Sequence, residues 1–422
     1  MNHVAVVDLG YGDAGKGTVV DWLCATRPVH TVVRFNGGAQ AAHNVVLRDG
    51  RHHTFAQFGA GTFHPGVRTH LSRHVVVDPL ALAAEADHLA TVGVTDALDR
   101  LTVDSDALLA TPYHRAANQA REIARGADRH GSCGLGVGET VAYGLAHPDD
   151  APRVADCRSP TLLRRRLTAL RERLTAELGP LDAPPVEDCL PAFTGFAGRV
   201  AIVDGSWLTG ALRAGTCVFE GAQGVLLDEW HGFHPYTTWS TTTFANADSL
   251  LTEAGQPRAT RIGVLRLVTT RHGAGPLVTE DPTLPLADPH NPTNPWQGRF
   301  RFGHFDAVAH RYALAVAGGV DGLALTHLDL AGPELRICRR YDTTDRLTPG
   351  PPGDLDRQAA LTARLLRSRP LYDDPPADWA EAVSAELGAR VVLTSHGPTA
   401  DDKTPHGPLL APPALVRADQ RR

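Results

Sequence analysis

The sequence has 422 residues, of which 42% are hydrophobic and 21% are charged, and this composition is typical of a folded globular protein. The 41 basic and 47 acidic residues give a formal charge of −6 without a basic block, which argues against nucleic acid as a partner. No apolar run reaches the roughly 18 residues that span a bilayer, and residues 1–4 do not resemble a signal peptide. We therefore expect a soluble, cytoplasmic protein that binds no membrane.

Cysteine and lysine are informative through their spacing and number. The six cysteines stand far apart and form no C-x-x-C pair, which predicts reduced thiols that are mostly buried. Lysine occurs only at Lys16 and Lys403, so arginine supplies almost every other positive charge. A lysine in this chain therefore requires a specific reason.

The chain opens with a pattern of strand, glycine-rich turn and helix. Residues 4–9 are apolar and β-branched, residues 10–18 contain four glycines, and residues 19–24 resume a helix-compatible pattern. In such a turn the backbone N–H groups converge on an anion at the helix N-terminus, and Lys16 adds a compact charge. We predict phosphate binding here, although Gly17 after Lys16 departs from a Walker A loop.

A second loop of small residues follows the next predicted strand. The strand covers residues 31–35, and in the loop at residues 36–44 the only titratable side chain is His43. His43 is either a structural histidine or an acid–base group, and the residues alone leave both interpretations open.

Later segments carry weaker signals. Residues 158–190 have the leucine spacing of an exposed helix with a proline-rich turn, and we interpret them as scaffold. Arg299 and Arg301 can clamp one carboxylate or form a solvated surface pair. Predicted strands at residues 322–325 and 391–393 end in polar loops, and open α/β sheets bind ligands at such strand ends.

Seven segments, in order, resemble the motifs of the adenylosuccinate synthetase family from residue 3 to about residue 400. The resemblance implies an α/β fold with a large, mainly parallel central sheet flanked by helices. Residues 1–422 would form a single domain, with a disordered tail expected after about residue 410. The matching segments are residues 12–17 (GDAGKG), 37–44 (GGAQAAHN), 219–224 (FEGAQG), 270–276 (TRHGAGP), 298–301 (GRFR), 326–329 (THLD) and 395–398 (SHGP).

The resemblance implies a homodimeric, GTP-dependent ligase that joins IMP to L-aspartate with Mg²⁺. The purine 6-oxygen is first phosphorylated, and the aspartate amine then displaces the phosphate. Asp13 matches the family's base and His43 its proton donor. Lys16 would hold the transferring phosphoryl group, and Mg²⁺ would bind the Asp13 carboxylate and the Ala42 carbonyl.

The resemblance also assigns residues to each ligand, with Gln223 completing the catalytic set. A carboxylate after a strand, such as Asp329, can accept both the N1–H and the exocyclic amine of guanine. The GTP set is Gly12, Gly15, Lys16, Gly17, Thr18, Asn44, Arg301, His327, Asp329, Ser395 and Gly397. The acceptor set is Asp13, Gln40, Ala41, Cys133, His147, Gln223, Thr238 and Arg299, and the aspartate set is Gln297, Arg299 and Arg301.

Departures from the family pattern concentrate on the acceptor side. Cys133 replaces a phosphate-binding threonine, and His147 falls near an arginine that the partner subunit lends to the IMP phosphate. A thiol donates weakly, and a neutral histidine does not replace a permanently charged arginine. His327 replaces the lysine that packs over guanine, so the choice between GTP and ATP stays open. Further replacements fall on Ala14, Gln40, Ala42, Asn44 and Leu135.

These departures leave alternatives to an IMP ligase. A paralogue could use a modified nucleotide, a nucleoside or another lactam as its acceptor. A non-catalytic nucleotide-binding relative is disfavoured because Asp13, Lys16 and His43 are all present. A kinase that stops at the phosphorylated acceptor would leave Arg299 and Arg301 without a ligand.

Overall fold

The computed structural model describes residues 2–126, 129–288, 291 and 293–409, which fold into alternating strands and helices. The strands are β1 (Val4–Asp8), β2 (Val29–Arg34), β3 (His43–Val46), β4 (His52–Phe55), β5 (Arg68–Leu71), β6 (Val76–Val77), β7 (Leu101–Asp104), β8 (Leu108–Leu109), β9 (Ala201–Val203), β10 (Thr216–Glu220), β11 (Thr260–Arg266), β12 (Thr269–His272), β13 (Phe300–Gly303), β14 (Phe305–Asp306), β15 (Gly322–Thr326), β16 (Ile337–Tyr341), β17 (Pro370–Asp373), β18 (Val391–Ser395) and β19 (Lys403–Pro405). The helices are α1 (Lys16–Thr26), α2 (Pro79–Thr91), α3 (Pro112–Arg125), α4 (Val137–Ala146), α5 (Pro160–Leu178), α6 (Val186–Arg199), α7 (Gly205–Ala214), α8 (Ala245–Glu253), α9 (Ala307–Val316), α10 (Leu355–Leu365) and α11 (Trp379–Leu387).

Ten strands form one central sheet in the order β19-β18-β15-β11-β1-β10-β2-β5-β7-β9. Every neighbouring pair is parallel except β18 and β19, so the mainly parallel sheet predicted from the sequence is confirmed. Because parallel strands end on the same edge, the loops after β1, β2, β10, β15 and β18 converge there. This convergence builds the site described below.

Strand β1 shows how both faces of the sheet are buried. Val4 and Val6 belong to one core cluster and Ala5 and Val7 to another, as the alternation of strand side chains requires. Helix α1 packs in the first cluster and α9 in the second. A strand covered on both faces has a continuous apolar sequence, which explains why its polar residue comes only at the end.

The segment at residues 158–190 contains the predicted helix and proline-rich turn, but the leucine face of the helix is buried. It contains all of α5 and the beginning of α6, with the prolines at 184 and 185 in the turn between them. Spacings of three and four residues place the leucines on one helix face, which packs against α3 and α6. The buried leucines are Leu163, Leu167, Leu170 and Leu174.

All six cysteines are free and all but the half-buried Cys133 are buried, as predicted. None of the helices in the described ranges is long and apolar enough to cross a membrane. The single-domain assignment of residues 1–422 stays a prediction, and the tail expected after about residue 410 lies outside the described residues.

Candidate active site

A cavity of about 990 Å³ lies at the carboxyl edge of the central sheet. The loops after β1, β2, β10, β15 and β18 form its walls, together with α3, α4 and parts of residues 266–297. This volume accommodates a nucleotide-sized ligand. The predicted site residues that line it are Gly12, Asp13, Gly15, Lys16, Gly17, Thr18, Gln40, Ala41, Ala42, His43, Asn44, Cys133, Gln223, Thr238, Gln297, His327, Asp329, Ser395 and Gly397.

The first loop is organised by a carboxylate that the sequence analysis missed. Asp8, the last residue of β1, accepts hydrogen bonds from the N–H groups of Gly10 at 2.7 Å and Ala14 at 2.9 Å. Its Oδ2 also accepts one from Nζ of Lys16 at 3.1 Å, and both of these side chains are buried. Asp8 therefore fixes the loop and the ammonium group together. The available signal was one acidic residue at the end of an apolar strand.

Helix α1 presents its N-terminus to the cavity at Lys16, Gly17 and Thr18. The first N–H groups of a helix have no intrahelical partner, and no side chain of the described residues caps this end, so these groups can bind phosphate oxygens. A larger residue does not fit at Gly17, because an added Cβ would lie 2.7 Å from Cβ of His43. The helix end and the histidine are thus in close contact.

Backbone conformation marks the same cavity. Among the described residues, the only non-glycine residues with positive φ are Asp13 at 59°, Gln223 at 63° and His327 at 57°, and all three line the cavity. Such conformations cost roughly 1–3 kcal/mol each and cluster at functional sites. The backbone therefore points to this cavity independently of any motif.

Asp13 presents a half-buried carboxylate to the cavity. Burial raises its pKa, and the nearby charges of His272 and Lys16 only partly oppose this effect. Within the described residues no N–H or O–H group donates a hydrogen bond to the carboxylate. A carboxylate in this state is more basic than an exposed one and has its lone pairs free. It can therefore remove a proton from a bound ligand.

His43 is held by a second carboxylate, Glu220, at the end of β10. Nδ1 of His43 lies 2.5 Å from Oε1 of Glu220, while Oε2 accepts a hydrogen bond from the N–H of Ala60 at 2.9 Å. Both side chains are buried. Glu220 lies in the segment at residues 219–224, but the sequence predicts no role for it, because sequence does not reveal which carboxylate meets the histidine.

The electrostatics of this pair fix the proton on one ring nitrogen. Burial lowers the pKa of His43 to about 4, although Glu220 partly offsets the effect. Burial also acts on Glu220, but Arg34 and His43 hold its pKa below the ordinary value. A carboxylate only accepts hydrogen bonds, so the neutral ring carries its proton on Nδ1 and leaves Nε2 as a base. His43 becomes a proton donor only after an anionic ligand raises its pKa.

Two glutamine amides present unpaired polar atoms at the cavity. Oε1 and Nε2 of Gln40 are buried without a hydrogen-bond partner among the described residues, and so is Oε1 of Gln223. Nε2 of Gln223 donates to Oγ1 of Thr238 at 2.5 Å. Buried polar atoms without partners are costly, so these amides are suited to a ligand that both donates and accepts. The N–H and C=O edge of a lactam is such a ligand.

The wall formed by α3, α4 and the loop between them carries paired charges. Nε of Arg121 lies 3.0 Å from Oε1 of Glu139, and Nη2 lies 2.8 Å from Oε1 of Glu177. Arg125 pairs in the same way with the buried Glu122. In this arrangement each arginine is already neutralised by a carboxylate.

Neither Cys133 nor His147, the two residues assigned to the acceptor phosphate, brings a positive charge to this cavity. Burial raises the pKa of the Cys133 thiol, which therefore stays neutral. His147 lies at the end of α4 with its ring 4.8 Å from that of Tyr143, and it does not line the cavity of its own chain.

The loops after β15 and β18 form the end of the cavity assigned to the nucleotide base. Thr18 Oγ1 donates to the carbonyl of Pro398 at 2.7 Å, which joins the phosphate loop to this end. Lys403 donates to the carbonyls of Gly397 at 3.2 Å and Thr399 at 2.7 Å. Burial lowers the pKa of His327 to about 3, so a neutral ring stands where the family has lysine. Both lysines of the chain therefore organise this cavity.

Arg299 and Arg301 do not line the cavity, in contrast to the clamp expected from the sequence. Both guanidinium groups contact the carboxylate of Glu280, at 2.9 Å from Arg299 and 2.6 Å from Arg301. Gln297, the third residue assigned to aspartate, does line the cavity. The two arginines assigned to the aspartate donor therefore pair with Glu280, a carboxylate of the chain itself.

The donor set for a metal ion is sparse. Among the described residues no group of three or more histidine, cysteine, aspartate or glutamate side chains could hold one. Asp13 nevertheless offers a half-buried carboxylate to which no group of the described residues donates a hydrogen bond, and Ala42 is an exposed residue of the same cavity. Mg²⁺ usually binds one or two protein oxygens together with water and phosphate, so this set fits magnesium but not a fully protein-ligated site.

A family model described as adenylosuccinate synthetase matches residues 5–374. An adenylosuccinate synthetase of Magnetococcus marinus is 32% identical over 414 residues, covering 90% of this chain and 88% of that protein. This chain belongs to the adenylosuccinate synthetase family. Adenylosuccinate synthetases are ligases that form C–N bonds with the use of a nucleoside triphosphate.

Solved structures related to this adenylosuccinate synthetase family member confirm its predicted fold. A fully ligated adenylosuccinate synthetase from Plasmodium falciparum has a TM-score of 0.80 at 20% identity, covering 96% of this chain and 100% of that one. The cyanophage S-2L succinoaminodeoxyadenylate synthetase, bound to dGMP and dATP, has a TM-score of 0.61 at 20% identity, with coverages of 96% and 95%. At this identity the two structures establish the fold alone.

Proposed function

We propose that this protein joins the amine of L-aspartate to C6 of a purine-type 6-oxo acceptor at the expense of GTP. The model reaction is IMP + L-aspartate + GTP to adenylosuccinate + GDP + phosphate. The observation that carries the proposal is the meeting of Asp13, Lys16 and the His43–Glu220 pair at one cavity, in a member of this family. We also propose a cytoplasmic homodimer whose partners are small molecules.

The first step is phosphorylation of the acceptor oxygen. Asp13 removes the proton from N1 of the lactam, and the electron pair shifts to O6, which attacks the γ-phosphorus as GDP leaves. Lys16 and the free N–H groups at the start of α1 hold the phosphoryl oxygens. The unpaired amide atoms of Gln40 and Gln223 orient the lactam edge.

The second step is displacement of the phosphate. The neutral amine of aspartate attacks C6, the C6–O6 bond breaks, and phosphate leaves while the nitrogen loses a proton. His43 donates a proton from Nε2 to the departing oxygen, after anionic ligands have raised its pKa from about 4. Glu220 stabilises the charged ring through Nδ1.

The Asp13 carboxylate and the Ala42 carbonyl are the protein groups that would hold Mg²⁺. When bound, the ion supplies positive charge to the phosphate oxygens. Asp329, Ser395 and Gly397 would form the guanine pocket, while the neutral His327 packs on the base.

A second candidate function is the same ligation on an acceptor other than IMP. The neutral thiol of Cys133 and the paired charges of Arg121 favour it, because a 5′-phosphate dianion finds little free positive charge on this wall. A modified nucleotide, a nucleoside or another lactam would then be the substrate. Loss of two charged contacts weakens IMP binding by around two to four factors of ten.

The test is incubation with GTP, Mg²⁺, L-aspartate and a panel of 6-oxopurine nucleotides and nucleosides, read by mass for a succinyl-amine product. Such a product from any acceptor supports the proposal, and none from the whole panel contradicts it. For IMP, a kcat/KM of roughly 10⁴ M⁻¹s⁻¹ or higher identifies it as the acceptor and overturns the second candidate.

A further inference from the structure

Glu280 bridges the two arginines that the donor is expected to contact. Its Oε1 accepts a hydrogen bond from Nη2 of Arg299 at 2.9 Å. Its Oε2 accepts two from Arg301, at 3.0 Å from Nε and 2.6 Å from Nη2. One carboxylate therefore satisfies both guanidinium groups, as a carboxylate of a bound amino acid would.

The two arginines are held unequally. Nη1 of Arg301 also donates to the carbonyls of Gly273 at 2.7 Å and Gly275 at 2.9 Å, and its side chain is only 13% exposed. Arg299 has the Glu280 contact as its only side-chain hydrogen bond among the described residues, and it is 66% exposed. Arg301 is thus built into the fold, whereas Arg299 is free to turn once its one contact breaks.

The backbone keeps Glu280 in this place. Its N–H donates to the carbonyl of Leu277 at 3.0 Å, and the residue forms a bridge with Gly303 at the end of β13. The next residue, Asp281, donates its N–H to the carbonyl of Phe302 at 3.0 Å. The fold therefore fixes the backbone of Glu280 beside the two arginines.

We propose that Glu280 is an internal competitor that sets the affinity for the donor's carboxylate. The inference rests on the proposed function, with aspartate as donor. A donor carboxylate gains its full contact with Arg299 only when Glu280 releases that side chain, while Arg301 retains Glu280. Charge-assisted bonds to Arg299 are then exchanged rather than newly formed, which weakens apparent binding. A donor that lacks a carboxylate makes no such exchange and leaves Arg299 on Glu280.

The test is Glu280→Gln, compared with the unaltered protein in steady-state kinetics and in direct titration with L-aspartate. We expect KM and Kd for aspartate to fall about 3- to 10-fold, equivalent to about 0.7 to 1.4 kcal/mol. Succinate, which has both carboxylates but no amine, should inhibit more strongly by a similar factor. A rise in KM or Kd would show that Glu280 positions the arginines for the donor and would overturn the proposal.

Two further variants sharpen the result. Asp281→Asn removes the same charge from the neighbouring residue, which pairs with His304 at 3.1 Å instead of the arginines, and should leave KM for aspartate unchanged. Glu280→Asp keeps the charge on a shorter side chain that cannot bridge both arginines, so a smaller fall in KM is expected. Equal falls in Asp281→Asn and Glu280→Gln would reduce the effect to general charge and contradict the inference.

The outcome is separable from the proposed function. If the unaltered protein neither binds nor uses aspartate with any acceptor, the proposed function fails. If it uses aspartate and Glu280→Gln does not tighten binding, only this inference fails. Thermal melting of each variant shows whether the fold is retained.

Discussion

His43 and Arg299 are assigned to the same reaction, yet the fold holds them in different ways. His43 is buried, touches the first helix at Gly17 and is fixed by Glu220 from a central strand. Arg299 is exposed, and within the described residues its side chain hydrogen-bonds only to Glu280, beside a hairpin. The His43–Glu220 pair is thus already formed without a ligand. Arg299, which is expected to bind the donor, is instead paired with Glu280 of the same chain. Donor affinity can therefore change without altering the groups that transfer protons.

Asp13→Asn tests the acid–base centre and should have the largest effect. The amide cannot accept the acceptor proton and loses the charge for Mg²⁺, so kcat should fall by a factor on the order of 10² to 10⁴. GTP binding, measured by titration, should change far less. Turnover close to that of the unaltered protein would rule out Asp13 as the base.

Glu220→Gln tests whether the centre depends on its carboxylate. An amide can hydrogen-bond Nδ1 but cannot stabilise a charged ring, so kcat should fall by roughly 10- to 1,000-fold. His43→Asn should lower kcat by a factor on the order of 10² to 10⁴. The double variant should be little slower than His43→Asn alone, because the two residues act as one functional unit. Fully additive losses would mean that the two residues act separately.

Arg301→Leu tests the donor side. Without this guanidinium Glu280 pairs with Arg299 alone and withholds it from the donor carboxylate, so KM for aspartate should rise roughly 10- to 100-fold, about 1.4 to 2.8 kcal/mol, while KM for the triphosphate changes much less. Arg299→Leu removes the same charge from an exposed side chain and is a comparison for stability only, because Arg299 is itself expected to contact the donor carboxylate. Its melting temperature should fall less, since Arg301 also holds two carbonyls. If the unaltered protein prefers an uncharged amine to aspartate, the two arginines do not bind a donor carboxylate.

The sequence predicts the sheet and the grouping of its loops, because apolar strand runs and glycine-rich turns are local patterns. Lys16 and His43 line one cavity. Asp8, Glu220 and Glu280 escaped notice because a carboxylate's partner is decided by the fold. His43 and Glu220 are 177 positions apart, and they meet because β10 pairs with β2 and the loop after β2 leads to His43. The pairing of Arg299 with Glu280 was not predicted for the same reason. The sequence is the same whether Arg299 is free for a ligand or paired with a carboxylate of the chain.

The smallest expected effect is on stability at acidic pH, and it concerns His70, a buried histidine that has no part in the proposed reaction. Burial lowers the pKa of His70 to about 3, far below its unfolded value near 6.5. As pH falls from 6.5 towards 3, His70 binds a proton in the unfolded chain but stays neutral in the folded one. The free energy of unfolding therefore decreases by up to about 1.4 kcal/mol per pH unit. His70→Phe keeps a ring against Trp207 but cannot titrate. Urea unfolding at pH 7.5, 6.5 and 5.5 should therefore show a shallower acid loss for this variant, with kcat unchanged at pH 7.5. An unaltered slope would mean that His70 is not buried as a neutral ring.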